Sequence, residues 1–98
     1  MQRFNLKGKV ALVTGGNGGI GQGIARGLIE CGASVVIAGR NEDKNKVAVA
    51  ELSKIGSPVS ALILDVTDEA QCRTAVLEVV RRYGKLNILV NNAGIGTA

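Results

Sequence analysis

The amino-acid sequence predicts an α/β sandwich built on a doubly wound parallel sheet. Three observations carry that prediction. Short apolar runs, "KVALVT", "SVVIA", "VSALIL" and "LNILVN", alternate along the chain with stretches of helical periodicity. Runs apolar throughout suit parallel strands covered on both faces, whereas alternation would suit a sheet with one wet face. The connections are too short for anything but strand–helix alternation around one sheet.

Strand β1 is expected over residues 9–14, ended by the glycines that follow Thr14. Helix α1 is expected from Gly19 to Cys31, with Ile20, Ile24 and Leu28 as its inward stripe and Gly32 as its stop. Strand β2 covers 34–38. Asn41 is placed to cap α2, whose Ala48, Leu52 and Ile55 share a face before Gly56. Pro58 precedes β3 over 59–64. Thr67 or Asp68 caps α3, which carries Cys72, Val76, Val79, Val80 and Tyr83 inward, turns Arg73, Glu78, Arg81 and Arg82 outward, and stops at Gly84. Strand β4 follows over 86–91. Right-handed crossovers restrict the order. With strands 1, 2 and 3 stepping one way and strand 4 returning beside strand 1 it is 3-2-1-4, and ligands bind at the switch point beside the carboxyl ends of the strands. The loops after Thr14, Ala38, Leu64 and Asn91 all fall at that edge.

Composition narrows the chemistry. The chain has 98 residues, 46% hydrophobic and 20% charged, which is globular composition for one domain or part of one. The net charge of +4 is scattered, and Phe4 and Tyr83 are the only aromatic residues, so nucleic acid is not an expected partner. Cys31 and Cys72 lack CxxC spacing and the chain has no histidine, which removes the common zinc sites and a Cys–His nucleophile. Both cysteines fall on apolar helix faces and are expected as inert buried thiols. The apolar run Val10 to Val13 is too short for a signal-peptide core or a membrane span, so no membrane partner and a cytoplasmic location are expected.

Residues 12–23, "LVTGGNGGIGQG", hold six glycines between β1 and α1. A helix N-terminus offers unpaired N–H groups and partial positive charge to a phosphate, and a bare backbone lets a pyrophosphate approach. Two registers fit: GxGxxG on Gly16, Gly18 and Gly21, or TGxxxGxG on Thr14, Gly15, Gly19 and Gly21. A glycine-rich connector without a ligand is the plainer alternative. Walker A is excluded because no Gly-Lys-Ser/Thr follows.

"TGGNGGIG", "LDV" at 64–66 and "NNAG" at 91–94 together resemble the short-chain dehydrogenase/reductase family, in its order and spacing, from "GKVALVTG" onward. The resemblance implies a Rossmann-like domain of which residues 1–98 are the amino-terminal part, cut off after the fourth strand. It implies a small-molecule dinucleotide as ligand. Gly15, Asn17, Gly19, Ile20 and Gly21 would lie along the pyrophosphate, Asp65 and Val66 at the adenine, and Asn92 and Gly94 near the adenine ribose. Asn91 either contacts the ligand or braces the loops.

Cofactor choice is expected at the end of β2. A carboxylate there accepts from both ribose hydroxyls and favours NAD, but this chain has Gly39 followed by Arg40, whose guanidinium suits a 2′-phosphate. NADP is therefore favoured over NAD. Against this, NADP-dependent members often carry a second basic residue where this chain has Gly18, and Glu42 and Asp43 lie close, with Lys44 partly offsetting them. The family's catalytic Ser and Tyr-x-x-x-Lys have no counterpart: Asn87 stands four after Tyr83, and Ser34, Ser53, Ser57 and Ser60 are away from the site edge. No catalytic residue and no metal ligand is assigned. The function expected is the cofactor-binding half of an NAD(P)-dependent oxidoreductase interconverting alcohols and carbonyls, inactive alone. A stand-alone nucleotide-binding or interaction module is the alternative, associating through the bare edge of β4. A longer form is expected to be a homo-oligomer.

Overall fold

Strand β1 (Val10–Thr14) is buried at every position. Its Ala11 and Val13 face one apolar cluster and its Val10 and Leu12 the other, so one strand serves two cores. This central position follows from its unbroken apolar run, since each fully buried Val or Leu contributes about 1.5–3 kcal/mol. The computed structural model of the chain describes residues 5–92. Its elements run β1, α1 (Gly19–Glu30), β2 (Ser34–Gly39), α2 (Glu42–Ser53), β3 (Val59–Ile63), α3 (Glu69–Tyr83) and β4 (Ile88–Asn91).

The four strands form one parallel sheet in the order β3-β2-β1-β4, as the sequence predicts. Leu12 pairs in register with Val36 on one side and Leu89 on the other. Helices α1 and α2 cover one face with Ala25, Ile29, Ala48 and Leu52. Helix α3 covers the other with Ala75 and Val79, joined by Leu64.

The helix faces depart from expectation in two places. In α1 the buried stripe is Gly21, Ala25 and Ile29, one residue later than the Ile20, Ile24, Leu28 stripe, and Ile20 is 71% exposed. Small residues are what allow a helix that starts so close to the strand edge to lie against the sheet. In α3, Val79 is buried but Val80, one step round the helix, is 40% exposed. Cys31 and Cys72 are half-buried free thiols rather than fully buried ones.

Caps follow the side-chain chemistry. Asn41 Oδ1 accepts from the Lys44 backbone N–H at 2.9 Å, and Asp68, not Thr67, caps α3 by accepting from Gln71 N–H at 3.1 Å. Strand β4 starts at Ile88, two residues later than expected. Asn87 takes the preceding position by donating its backbone N–H to Val10 O and accepting Val10 N–H on Oδ1, both at 2.9 Å. Leu89 on β4 is 57% exposed.

Near the end of α3, Arg81 and Arg82 both donate to the Glu78 carboxylate, at 2.6 and 2.8 Å to Oε2. These bonds hold the Glu78 carboxyl down at about 2, against an ordinary 4.5. A depressed folded value means that the contribution is complete above the unfolded value and is lost as pH falls towards 2. Glu78→Gln is expected to lower Tm at neutral pH, where the contribution is complete, and to bring the two Tm curves together as pH falls from 4.5 to 2. Both effects are small because the pair is partly exposed to solvent. Superimposable Tm–pH curves for the two proteins would refute this role.

Candidate functional site

The loop from Thr14 to Gly19 leaves the carboxyl end of β1 and turns at once into α1. Gly15 and Gly19 have φ of 70° and 44°, a region that side chains rarely enter, which favours the Thr14-Gly15-Gly19-Gly21 register. Gly21 shows why the loop is bare. A Cβ there would stand 2.0 Å from the Gly15 carbonyl oxygen and 2.7 Å from Asn92 Nδ2. The β1 loop, the first turn of α1 and the residue after β4 therefore meet at one point.

Helix α1 also starts differently from the other two. It has no side-chain cap and no acidic residue in its first turn, whereas α2 has Asn41, Glu42 and Asp43, and α3 has Asp68 and Glu69. Its first N–H groups and the positive end of its dipole face the glycine loop without a protein anion to meet them.

The ends of β2 and β3 complete the site. Gly15, Asn17, Arg40, Asp65 and Val66 line a common cavity of about 430 Å³, with Gly39, Asn41, Lys44 and Thr67. Gly19, Ile20, Gly21 and Asn92 lie outside its lining, on the α1 and β4 side of the same edge; Gly94 lies outside the described residues. Asp65 Oδ1 accepts from Thr67 Oγ1 at 2.6 Å and Thr67 N–H at 2.9 Å. Those bonds, reinforced by the Arg40 charge, hold its carboxyl below the usual range, so it stays ionised. Neither bond uses Oδ2. A larger depression of about 680 Å³ on the outer side of Asp65 is bordered by Asp68 and Glu69, unsuited to an anion.

Asn45 is the residue that sequence reasoning missed. It is 2% exposed, accepts from Asn17 Nδ2 at 2.9 Å, and donates to Gly39 O at 3.0 Å and Leu62 O at 3.2 Å. One amide thus ties the glycine loop to the ends of β2 and β3. The signal was available: Asn45, Ala48 and Leu52 recur at i, i+3 and i+7, which puts a polar side chain in the apolar stripe of α2. The same bond explains Gly39. A Cβ there would lie 2.4 Å from Asn17 Nδ2 and 3.0 Å from Asn45 Oδ1, so the Asn17–Asn45 pair occupies the space an acidic side chain would need.

At the fourth strand, Thr14 Oγ1 lies 3.2 Å from Asn91 Oδ1 and 3.3 Å from Val90 O. Asn91 therefore braces β1 against β4. Tyr83, by contrast, is at the opposite edge of the sheet, its hydroxyl 3.0 Å from Ser60 Oγ near the start of β3. Among the described residues no cluster of His, Cys, Asp and Glu could hold a metal ion, and no helix is long and apolar enough to cross a membrane.

A family model described as short chain dehydrogenase matches residues 9–98. The L-fucose dehydrogenase of Bos taurus is 47% identical over 88 residues, covering 89% of this chain and 31% of that protein. The fold superposes on the L-sorbose reductase from Gluconobacter frateurii, solved with NADPH and L-sorbose, with a TM-score of 0.91 at 36% identity, covering 98% of this chain and 37% of the other. It superposes also on an NAD+-bound xylitol dehydrogenase, with a TM-score of 0.82 at 35% identity over 90% of this chain and 33% of the other. The chain thus spans about a third of the length of these relatives.

Proposed function

Because the chain belongs to the short chain dehydrogenase family, we propose that residues 1–98 are the amino-terminal part of a single Rossmann domain and hold the adenosine and pyrophosphate side of a dinucleotide. The observation that carries this reading is the contact of Gly21 with Gly15 and Asn92, beside a helix start that has no anion of its own. Gly15, Asn17, Gly19, Ile20 and Gly21 would bear the pyrophosphate. Asp65, with Oδ2 unused, and Val66 would meet the adenine; Asn92 and Gly94 would approach the ribose. When bound, the dinucleotide supplies hydride transfer between an alcohol and a carbonyl.

NADP is the cofactor we favour. Arg40 borders the cavity with no ion pair among the described residues, and the Asn17–Asn45 bond keeps an acidic side chain out of position 39. Arg40 offers its fork to a 2′-phosphate as paired, charge-assisted hydrogen bonds. The 98 residues contain no Tyr-x-x-x-Lys, so these residues by themselves would bind the dinucleotide without turning over. The exposed Leu89 on the edge strand β4 supports association there, and a longer form would be a homo-oligomer.

Calorimetric titration with NADPH and NADH at matched low salt tests the reading. Saturable NADPH binding, tighter than NADH, is the expected result. Arg40→Asp should cut that preference by about tenfold or reverse it, as removal of one charge-assisted pair implies. Equal affinities for both nucleotides in the parent chain would overturn the NADP assignment, and a folded chain that binds neither would overturn the dinucleotide site.

A further inference from the structure

We infer that Lys44 is a second specificity-determining cation for the 2′-phosphate, delivered from α2 rather than from the glycine loop. The inference rests on the dinucleotide reading above and deepens it. Lys44 borders the same cavity of about 430 Å³ as Arg40, and its side chain crosses from α2 to the loop. Its Nζ lies 3.4 Å, and its Cε 3.8 Å, from where a Cβ on Gly18 would stand. The ammonium thus occupies the space that a basic side chain at position 18 would enter.

The charges on the cavity wall give Lys44 its weight. The charged residues that border it are Arg40, Lys44 and Asp65. Asp65 is ionised and attracted to Arg40, so Arg40 alone would leave the wall near neutral. Lys44 supplies the excess positive charge that a phosphate dianion requires. Among the described residues neither Arg40 nor Lys44 has an ion-pair partner within 4.0 Å. The nearby acids do not quench it: Glu42 is engaged with Lys46 at 3.5 Å, and neither Glu42 nor Asp43 borders the cavity. A lysine suits this place because a point charge on a flexible stem can meet the face of a phosphate that the planar fork of Arg40 leaves open.

The test compares NADPH and NADH binding, by calorimetry at low salt, in the parent chain, Lys44→Ala, Lys44→Arg and the double variant Gly18→Arg/Lys44→Ala. Lys44→Ala is expected to weaken NADPH about five- to tenfold while leaving NADH unchanged, the size of one charge-assisted contact at an accessible site. Lys44→Arg should keep most of the NADPH affinity. Gly18 has φ of −159°, an extended backbone open to any residue, so Gly18→Arg should recover NADPH binding in the Lys44→Ala background. A parent chain that prefers NADPH, with Lys44→Ala retaining the full preference, overturns the role of Lys44 alone. Equal loss of NADPH and NADH in Lys44→Ala also overturns it, because that is the mark of a structural part. A parent chain that binds NADPH no better than NADH overturns the NADP reading and this inference together.

Discussion

Gly21→Ala is expected to destabilise the chain by about 3 kcal/mol or more, at the top of the range for overpacking. The added methyl would fall 2.0 Å from the Gly15 carbonyl oxygen and 2.6 Å from its carbon. Both are backbone atoms, so no side-chain rotation relieves the clash, and the loop must separate from α1. Dinucleotide affinity should fall with stability, since the displaced groups are those proposed to bear the pyrophosphate. Gly23→Ala is the control. It is in the same helix, has nothing within 4 Å of its Cβ position, and should stabilise by about 0.5–1 kcal/mol by removing a flexible residue from a helix interior. Urea unfolding of both variants, compared by midpoint at unchanged m, measures the contrast. Equal effects at Gly21 and Gly23 would mean that the close approach at Gly21 does not govern this loop.

Asn45→Ala should cost about 2–3 kcal/mol, from the lost hydrogen bonds of a buried amide and the small cavity left behind. It removes the donor to Gly39 O and Leu62 O and leaves Asn17 Nδ2 without its acceptor. Since Asn17 then no longer anchors the loop, NADPH and NADH binding should weaken by the same factor. That sets Asn45 apart from Arg40 and Lys44, whose loss should change the ratio. Asn45→Asp gives no rescue at neutral pH, because a carboxylate can accept from Asn17 but donates nothing to the two carbonyls. An Asn45→Ala protein within about 0.5 kcal/mol of the parent, the usual range for surface changes, would show that the amide ties nothing together.

Much of the fold was legible. Unbroken apolar runs identify strands covered on both faces, and the short connections with right-handed crossovers restrict the strand order; the observed one is that in which β4 returns beside β1. Expectation and structure part where packing distance, rather than hydrophobicity, decides which side chain turns inward. Ile20, Ile24 and Leu28 form the more apolar stripe of α1, yet Gly21, Ala25 and Ile29 face the sheet. The first turn of the helix starts too near the strand end for any side chain at position 21, and that contact fixes which face turns inward further along. Asn87 falls within the apolar run of β4, but its side chain supplies a ladder bond by accepting Val10 N–H, which no periodicity reveals.

The sequence by itself determined the class of this protein: four parallel strands, three crossover helices, and a glycine loop whose company with Asp65 and Asn92 follows from the resemblance of the motifs, in order and spacing, to a known family. These depend on local pattern and chain connectivity, which a linear string contains. Only the tertiary structure decided that Asn45 joins the glycine loop to the ends of β2 and β3, that position 39 has no room for an acid, and that the Lys44 ammonium stands beside Gly18. Those features depend on groups up to 28 residues apart meeting within hydrogen-bond or contact distance, and that separation in space is set by packing.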